Sequence, residues 1–461
     1  MVQGEPGMKV VIVGTGYVGL VSGVCFADIG HNVVCVDVDS KKVDTINNCK
    51  SHIFEKGLDD LLQRNVNKGH LTATTNLKEA IIDADITMIA VGTPFNGDVI
   101  NLSYIKQAAS DIADVLEFAP DYHVVCVKST VVPGTTENLV GQIIKDRSNR
   151  RIGDNVGLCM NPEFLAEGTA ISDFMNPDRI VIGASDSKAS KIVQQLYSYF
   201  DGTDMILTTP VTAEMIKYTA NAFLATVISF ANEIANLCSS IGGIDAIDVM
   251  QGVYADRRLS PILPQGRVTP GLLSFLYPGT GFGGSCFPKD VKALISYADQ
   301  HGCPLKILNS VVDVNQNQPS VTVDILIREL GDLVGKRIAV LGLAFKPGTD
   351  DVRESPSITI IQQLISEGAI ISCHDPVAIE NMKAILSHES VTYVNDLQSA
   401  IHNVDAIVLV TSWSEYHDLR MLLKSNEIPI IDGRRLLNKK QFNKYSGIGL
   451  SNTLRVNRGI K

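Results

Sequence analysis

The stretch Lys9-Val-Val-Ile-Val-Gly-Thr-Gly-Tyr-Val-Gly19 decides the fold. Its first half is a short apolar run ending at a glycine, which is typical of a buried parallel strand. A helix is predicted from Val18 to Ile29, and a second strand from Asn32 to Val36 leads directly into Asp37. This strand, turn, helix and strand order predicts the first unit of a parallel sheet covered by helices on both faces.

The turn inside that stretch carries a glycine fingerprint, Gly14, Gly16 and Gly19, with the spacing GxGxxG. Glycines there permit a tight turn, close approach of a pyrophosphate to the backbone, and close packing of helix on strand. Asp37 ends the next strand, where a carboxylate accepts from both ribose hydroxyls and repels a 2′-phosphate. The pattern therefore predicts NAD rather than NADP, and a tight turn without a ligand is the alternative.

The rest of the chain indicates two copies of this architecture around a helical middle. A long helix is predicted from Thr212 to Ser240, followed by an irregular Pro/Gly-rich loop between Arg258 and Gly284. The opening pattern then returns at Lys336-Arg-Ile-Ala-Val-Leu-Gly342, without the full fingerprint, so this copy need not hold a dinucleotide. We predict an α/β fold with two Rossmann-like doubly wound parallel sheets joined by a central helical region, in domains 1–209, 210–318 and 319–461.

Composition excludes several classes of function. The 461 residues include 40 Lys and Arg against 50 Asp and Glu, a net charge of −10 without basic blocks, which disfavours general nucleic-acid binding. Uninterrupted apolar runs are too short for a membrane span, and the N-terminus lacks a signal pattern. Nine cysteines, an odd number without a CxxC pair, indicate a reducing cytoplasm rather than a disulfide framework. We predict no metal site.

One cysteine stands apart, in Gly281-Phe-Gly-Gly-Ser-Cys286-Phe-Pro-Lys-Asp290. The glycines allow close approach of a substrate, and a helix predicted to start near Cys286 would lower the thiol pKa and favour a nucleophilic thiolate. Asp290 lies one helical turn further on, where it can orient water or move a proton. A small buried hydrophobe is the alternative for any single cysteine.

Two further groups of residues are candidates for chemistry. Lys217 and Asn221 share one face of the predicted long helix and can stabilise an oxyanion, or they form an ordinary solvated face. Glu163 and Glu167 follow a strand-like run and can bind sugar hydroxyls or activate water, or they cap a helix. Val91-Gly-Thr-Pro94 ends another strand at the predicted cofactor edge, or forms a simple turn.

Six segments occur in a characteristic order: GTGYVG, VGTP, KST (Lys128 to Thr130), NPEFLAEGTA, KYTANAFLA and GFGGSCFPKD. Together, over about residues 8–440, they resemble the UDP-glucose/GDP-mannose dehydrogenase family. The resemblance implies an N-terminal NAD-binding domain, a central region that forms a homodimer, and a C-terminal nucleotide-binding domain. It implies oxidation of a nucleotide sugar at C6 to a carboxylate with two NAD+. UDP-glucose is the favoured sugar, with GDP-mannose and UDP-N-acetylhexosamines as close alternatives.

The same resemblance assigns roles residue by residue. Catalytic roles fall to Cys286, Lys217, Asn221, Asp290, Thr130 and Glu163. The cofactor is expected at Gly14, Gly16, Tyr17, Val18, Gly19, Asp37, Lys42, Thr93, Thr130, Glu167 and Arg353. The substrate is expected at Glu163, Phe164, Leu165, Ala166, Glu167, Lys217, Asn221, Arg258, Phe275, Leu276, Tyr277, Gly279, Gly283, Lys346 and Arg434.

One departure from the family pattern leaves the sugar open. Asp256-Arg-Arg258-Leu-Ser260 has a serine where the family usually has glycine, and an extra segment, Pro261 to Leu273, follows. Two other functions remain as alternatives. A sensor of NAD and a sugar nucleotide would have no need of a nucleophile, and a ketol-acid or 2-hydroxy-acid dehydrogenase would share the fingerprint without needing Cys286.

Overall fold

The computed structural model describes residues 7–97, 99–423 and 425–451. It divides into two compact units, the first ending at Ala220 and the second beginning at Asn221. The division into three domains stays a prediction.

The first unit alternates strands with helices. Its strands are β1 (Lys9–Val13), β2 (Asn32–Val36), β3 (Leu71–Thr74), β4 (Ile86–Ile89), β5 (His123–Val127), β6 (Val156–Met160), β7 (Ile180–Ala184) and β8 (Met205–Thr208). Its helices are α1 (Tyr17–Asp28), α2 (Ser40–Asn47), α3 (Leu58–Asn67), α4 (Leu77–Ile81), α5 (Ser103–Val115), α6 (Gly141–Arg147), α7 (Ala170–Met175), α8 (Ser187–Leu196) and α9 (Pro210–Ile241), the last of which continues past the boundary at Ala220.

These strands form one sheet in the order β3-β2-β1-β4-β5-β6-β7-β8, which confirms the predicted doubly wound architecture. Val13 at the end of β1 pairs with Val36 on one side and Ile89 on the other, so three strand ends coincide at one edge. Apolar side chains from the two faces of the sheet form two separate cores beneath the covering helices.

One pairing departs from the parallel pattern. Strand β7 runs antiparallel to β6, with Met160 opposite Gly183. A parallel neighbour requires a crossover to the far end of the sheet, whereas an antiparallel one can be entered from the same edge. The chain from Asn161 to Arg179 therefore stays at the carboxyl edge of β6, which is where the NPEFLAEG loop lies.

Helix α9 is tied to the segment that follows β5. The Glu214 carboxylate, in the first turns of α9, accepts from the Thr136 backbone N–H at 2.8 Å and from the Thr136 hydroxyl at 2.6 Å. Burial raises the pKa of Glu214 to about 7, although these donors and the Gly134 N–H act in the opposite direction. The contact fixes the segment after β5 against the helix that carries Lys217.

The second unit contains the predicted second copy. Its strands are β9 (Ile262–Leu263), β10 (Gly266–Arg267), β11 (Arg337–Leu341), β12 (Ile370–His374), β13 (Val391–Tyr393), β14 (Ala406–Leu409), β15 (Ile430–Asp432) and β16 (Tyr445–Gly447). Its further helices are α10 (Ala246–Tyr254), α11 (Phe287–Gln300), α12 (Lys306–Leu330), α13 (Pro356–Ser366), α14 (Ile379–Ile385), α15 (Leu397–Ala400) and α16 (Leu419–Leu422).

Strands β11 to β16 form a parallel sheet in the order β13-β12-β11-β14-β15-β16. The similarity between the two sheets includes individual backbone hydrogen bonds. The Gly14 N–H donates to the carbonyl of Val36, and the Gly342 N–H donates to the carbonyl of His374, both at 2.8 Å. The internal similarity read from the sequence is therefore confirmed at the level of the backbone.

The loop predicted to be irregular between Arg258 and Gly284 contains a short antiparallel hairpin, β9 with β10. Ser260 holds its base, because the hydroxyl donates to the carbonyl of Val268 at 2.6 Å. The Arg267 guanidinium adds bonds to the carbonyls of Ala255 and Ser260. The hairpin lies within the extra segment that departs from the family pattern.

Candidate active site

The glycine fingerprint forms a turn with room for a phosphate. Gly14 adopts a φ of +96°, and a Cβ on Gly19 would lie 1.9 Å from the carbonyl oxygen of Gly14, so only glycine allows α1 to pack on the turn. Gly16 caps α1 without a side-chain hydrogen bond, and a Cβ there would meet nothing within 4 Å. The space beside Gly16 at the start of α1 is therefore open, which suits the close approach of a pyrophosphate to a helix N-terminus.

Asp37 is fixed by the same turn. Its Oδ2 accepts from the Thr15 N–H at 2.8 Å and from the Thr15 hydroxyl at 2.6 Å, its Oδ1 accepts from the Asp39 N–H, and Lys42 lies 3.8 Å away. Burial acts to raise the pKa of Asp37, but these donors outweigh it, so the net pKa is lowered. A carboxylate offers about four lone-pair sites, so these three donors leave one acceptor site for a ribose hydroxyl. The residues present therefore fit NAD.

A buried glutamate, Glu55, joins the cofactor turn to the loop after β6. Its carboxylate accepts from the Tyr17 hydroxyl and from the N–H groups of Gly168 at 2.7 Å and Ala170 at 2.9 Å. Tyr17 belongs to the fingerprint, while Gly168 follows Glu167 directly. Glu55 could not be recognised from the sequence, because no spacing rule links it to either segment.

Two strand-end loops meet beside the turn, as their positions predicted. The Thr93 hydroxyl donates to the carbonyl of Thr130 at 2.8 Å, and the Ser129 hydroxyl donates to the carbonyl of Val91 at 2.7 Å. Thr93 and Thr130 are consequently held together at the carboxyl edge of β4 and β5.

The NPEFLAEG loop brings two predicted residues into contact. Glu163 and Lys217 are both buried and form an ion pair, with Nζ 3.3 Å from Oε1. The other carboxylate oxygen of Glu163 accepts from the Leu165 N–H at 2.6 Å. The Lys217 ammonium also lies 5.4 Å from the ring centroid of Phe164. Glu163 therefore does not cap α7, whose N-cap is Thr169.

A second buried lysine supports this loop from beneath. Lys128 donates to Asn161 Oδ1 at 3.1 Å and to the Tyr197 hydroxyl at 3.2 Å, and Tyr197 donates to the same Asn161 oxygen at 2.6 Å. Burial lowers the pKa of Lys128 to about 8. These residues border a cavity of about 250 Å³ that is also lined by Glu163 and Phe164. The sequence identified the KST segment but assigned no role to its lysine.

In the second unit, Cys286 occupies the N-cap position of α11 and is half-buried, which confirms the predicted helix start. The Asp290 N–H donates to the carbonyl of Cys286 at 2.8 Å. The buried Asp290 carboxylate accepts from the Asn221 amide at 2.6 Å and pairs with Lys289. Asn221 retains a second amide N–H for another acceptor.

The second unit also holds a cavity of about 480 Å³, lined by Phe275, Tyr277, Ser412, Arg434 and Arg435 among others. Burial lowers the pKa of Arg434 to about 10, still well above neutrality, so its guanidinium stays charged. The Arg435 guanidinium is paired with Asp245 at 2.8 Å, so the Arg434 cation and the two aromatic rings are the groups that suit a nucleotide with its phosphates. The sequence had singled out Phe275, Tyr277 and Arg434, but not Ser412 or Arg435.

The second glycine turn does not offer the same site. Asp375, the counterpart of Asp37, is buried and accepts from the N–H groups of Leu343, Ala344, Val377 and Ala378, and from the Trp413 indole. Each carboxylate oxygen is already occupied by at least two donors. This is a physical reason why the second copy need not hold a dinucleotide.

The remaining predicted residues range from exposed to buried. The exposed Arg258 pairs with Asp256, and the exposed Arg353 pairs with Asp351. The Lys346 ammonium lies 5.7 Å from the ring centroid of Phe345. Leu276 is buried, its carbonyl accepting from Tyr254, and Gly283 packs against the carbonyl of Glu354. Val18 lies in the first turn of α1, and Ala166 in the NPEFLAEG loop. Their ligand contacts stay predictions.

Comparison with known proteins gives a consistent result along the chain. Three sequence models of the UDP-glucose/GDP-mannose dehydrogenase family match: the NAD binding domain at residues 8–201, the central domain at 211–317 and the UDP binding domain at 339–439. The chain is 40% identical to UDP-glucose 6-dehydrogenase AglM of Haloferax volcanii, covering 96% of this chain and 100% of that protein. It is 43% identical to UDP-glucose 6-dehydrogenase TuaD of Bacillus subtilis, covering 94% and 90%.

Comparison of the fold with solved structures points to the same family. A UDP-glucose dehydrogenase from the hyperthermophilic archaeon Pyrobaculum islandicum superimposes with a TM-score of 0.89 at 37% identity, over 98% of this chain and 100% of that one.

Replacing Asp37 tests the cofactor site. We expect Asp37→Ala to raise the KM for NAD+ by about 10- to 100-fold, since hydrogen bonds to a charged group are worth about 1.5–3 kcal/mol. The substitution should also lower the ratio of kcat/KM for NAD+ to kcat/KM for NADP+. Steady-state kinetics with both cofactors will measure this ratio. The exposed Asp44→Asn on α2 is the control. An unchanged KM in Asp37→Ala would contradict the assignment.

Proposed function

The chain belongs to the UDP-glucose/GDP-mannose dehydrogenase family, and we propose that it oxidises the C6 alcohol of UDP-glucose to a carboxylate with two NAD+. It is an NAD-dependent oxidoreductase, because the NAD-binding domain is matched and the glycine turn with Asp37 has the required geometry. The observation that carries the proposed reaction is Cys286 at the start of α11, one turn before the buried Asp290.

Four-electron oxidation needs a nucleophile of this kind. An aldehyde must gain a tetrahedral centre before it can lose a second hydride, and a thiolate supplies that centre while keeping the carbon in the site. The glycine turn and Asp37 would hold NAD+, which would supply the hydride acceptor for each of the two oxidations.

The chain's own residues account for the remaining steps. The Cys286 thiolate adds to the aldehyde carbon, and the oxygen of the resulting thiohemiacetal takes up a proton. Loss of that proton and a hydride leaves a thioester. Water then adds to the thioester carbonyl, the C–S bond breaks, and the carboxylate is released with regeneration of the thiolate.

Several of the proposed roles are supported by contacts described above. Lys217 and Asn221, one turn apart on α9, supply N–H donors to the alkoxide and tetrahedral oxyanion. Asp290 is a buried carboxylate that can position water and accept its proton. Thr130 and Glu163 assist these proton transfers, and Glu167 contributes to binding. Arg434 and the aromatic residues of the 480 Å³ cavity bind the nucleotide.

The substrate assignment predicts a stoichiometry. With UDP-glucose as the limiting reagent and NAD+ in excess, we expect two NADH to form per UDP-glucose. NADH is measured by its absorbance, and the product is identified by chromatography. GDP-mannose and UDP-N-acetylglucosamine serve as controls and should give much slower reduction. A single NADH per substrate would indicate a simple alcohol dehydrogenase, and no NADH from UDP-glucose would refute the substrate.

Covalent catalysis predicts the behaviour of Cys286→Ser. Serine is a much weaker nucleophile at neutral pH, so this variant should bind NAD+ with unchanged affinity and lose overall turnover by more than about 100-fold. Cys303→Ser, at an exposed cysteine, is the matched control and should remain active. Normal carboxylate formation by Cys286→Ser would exclude the thioester route.

We also propose that the protein is a soluble cytoplasmic homodimer formed through α9. On length and composition alone this helix could cross a membrane, and only 39% of its most apolar window is buried. Phe223, Phe230 and Leu237 are each at least half exposed and recur every seven residues, which is the spacing of a helix–helix contact. Buried polar residues such as Asn221 and Asn232, which bond to protein groups, favour a second copy over lipid.

Introducing a charge at Phe230, between Phe223 and Leu237, tests the proposed dimer interface. We expect Phe230→Glu to shift the protein from dimer to monomer in sedimentation equilibrium at micromolar concentration, because burying an unpaired carboxylate in an apolar interface is costly. Tyr104→Glu, at an equally exposed aromatic residue on α5, should leave the assembly unchanged. A dimer that survives Phe230→Glu, or a monomeric parent protein, would refute this interface.

A further inference from the structure

The loop that leads to Cys286 has almost no side chains of its own to hold it. Residues 279–284 read Gly-Thr-Gly-Phe-Gly-Gly, and both Gly281 and Gly284 have positive φ values, +99° and +83°. Glycine loses more conformational freedom on folding than any other residue. A loop of this composition therefore needs external hydrogen bonds to keep one conformation, and its conformation determines where the Cys286 thiol lies.

The structure provides those bonds through side-chain amides. The N–H of Gly279 donates to Asn232 Oδ1 at 2.8 Å, and its carbonyl accepts from the Gln318 amide at 2.9 Å. The N–H of Phe282 donates to Asn315 Oδ1 at 2.8 Å, and its carbonyl accepts from the Asn315 amide at 2.9 Å. Both backbone groups of both residues are thus satisfied by helices α9 and α12.

Asn315 makes the more specific of these contacts, because one side chain binds both polar groups of one residue. The amide presents a donor and an acceptor side by side on one planar group, so neither an ionised carboxylate nor an ammonium can replace it. The pair of bonds resembles the pairing of a neighbouring β-strand. From Phe282 the chain has four residues to Cys286, and the Gly284 N–H is fixed in between by the carbonyl of Arg353 at 2.8 Å.

An independent feature of α12 fits the same purpose. Pro319 lies inside the helix, and proline has no N–H to donate to the carbonyl four residues earlier, that of Asn315. Gly281 packs at this point: a Cβ there would lie 2.9 Å from Asn315 Oδ1 and 3.5 Å from the Asn315 carbonyl oxygen. The missing hydrogen bond in α12 and the close approach of the glycine loop therefore both occur at Asn315.

We propose that Asn315 is a positioning residue for the reaction, acting through the Phe282 backbone to keep Cys286 in place between the two oxidations. The inference rests on the proposed function. A thiol that is held in place captures the aldehyde before it leaves, whereas a displaced thiol lets the aldehyde escape after one hydride transfer. A displacement of about 1 Å can cost up to ~100-fold in rate.

The test compares Asn315→Asp with Asn317→Asp. Asn315→Asp keeps the shape but loses the donor to the Phe282 carbonyl, while Asn317, two residues away on α12, is exposed and bonds to the carbonyl of Asp313 on its own helix. Asn315→Ser removes the amide without adding a charge and serves if Asn315→Asp folds poorly. Circular dichroism and thermal melting establish that each variant is folded.

The first measurement is the number of NADH formed per UDP-glucose consumed, with a hydroxylamine trap for free aldehyde. We expect two for the parent and for Asn317→Asp, and a value falling toward one for the Asn315 variants, with trapped UDP-linked aldehyde. A purely structural defect lowers the amount of active enzyme but leaves this ratio at two. A ratio of two in both Asn315 variants, without trapped aldehyde, would overturn the proposal.

The second measurement does not depend on the substrate. Iodoacetamide labelling, followed by peptide mass spectrometry, gives the alkylation rate of Cys286 relative to the exposed Cys303 in the same sample. We expect this relative rate to rise at least about threefold in the Asn315 variants and not in Asn317→Asp. An unchanged relative rate contradicts positioning by Asn315 even if UDP-glucose proves not to be the substrate, so failures of the two proposals are distinguishable.

Discussion

The contact between Gly14 and Gly19 is the constraint on which the first unit depends. The carbonyl of Gly14 occupies the space where any Cβ on residue 19 would lie, so α1 can start immediately after β1 and direct its N–H groups at a ligand. The same turn places Thr15 on the carboxylate of Asp37 and Tyr17 on the carboxylate of Glu55. A single close approach therefore organises the helix N-terminus predicted for the pyrophosphate, the carboxylate predicted for the ribose and the attachment of the NPEFLAEG loop.

The second unit has a similar parallel sheet, but its glycine turn does not offer the same ligand site. The Asp375 carboxylate is satisfied within its own glycine turn, and the proposed chemistry lies at a loop in which glycine provides conformational freedom and neighbouring side-chain amides restrict it. Glycines at 281, 283 and 284 let the backbone approach Asn315, Glu354 and Phe345 closely, and side-chain amides then restore the order that the sequence lacks. Cys286, the proposed nucleophile, follows a segment whose backbone is held by side chains of neighbouring helices.

Much of the site could be predicted because its residues lie in contiguous segments. The fingerprint, the start of α11 at Cys286 and the spacing of Lys217 and Asn221 are local patterns, and the structure confirms their predicted helices. Glu55, Lys128 and Asn315 were missed, since each acts on a segment at least 30 residues away in sequence. The antiparallel direction of β7 was missed for a different reason: the direction of a strand depends on the edge of the sheet from which the chain returns.

The sequence by itself determined two parallel sheets, each with a strand that ends at a glycine turn, and a long helix between them in the chain. It also determined a turn of the NAD-binding type and one cysteine that differs from the other eight by its glycine-rich surroundings. These features follow from periodicity, from glycine geometry and from helix termini, all of which act over a few residues. Only the tertiary structure decided which carboxylates have free acceptor capacity, as Asp37 does and Asp375 does not, and which buried charges are paired, as Glu163 is with Lys217. The physical reason is that hydrogen-bond satisfaction and burial depend on neighbours brought together by folding, and no short stretch of sequence contains them.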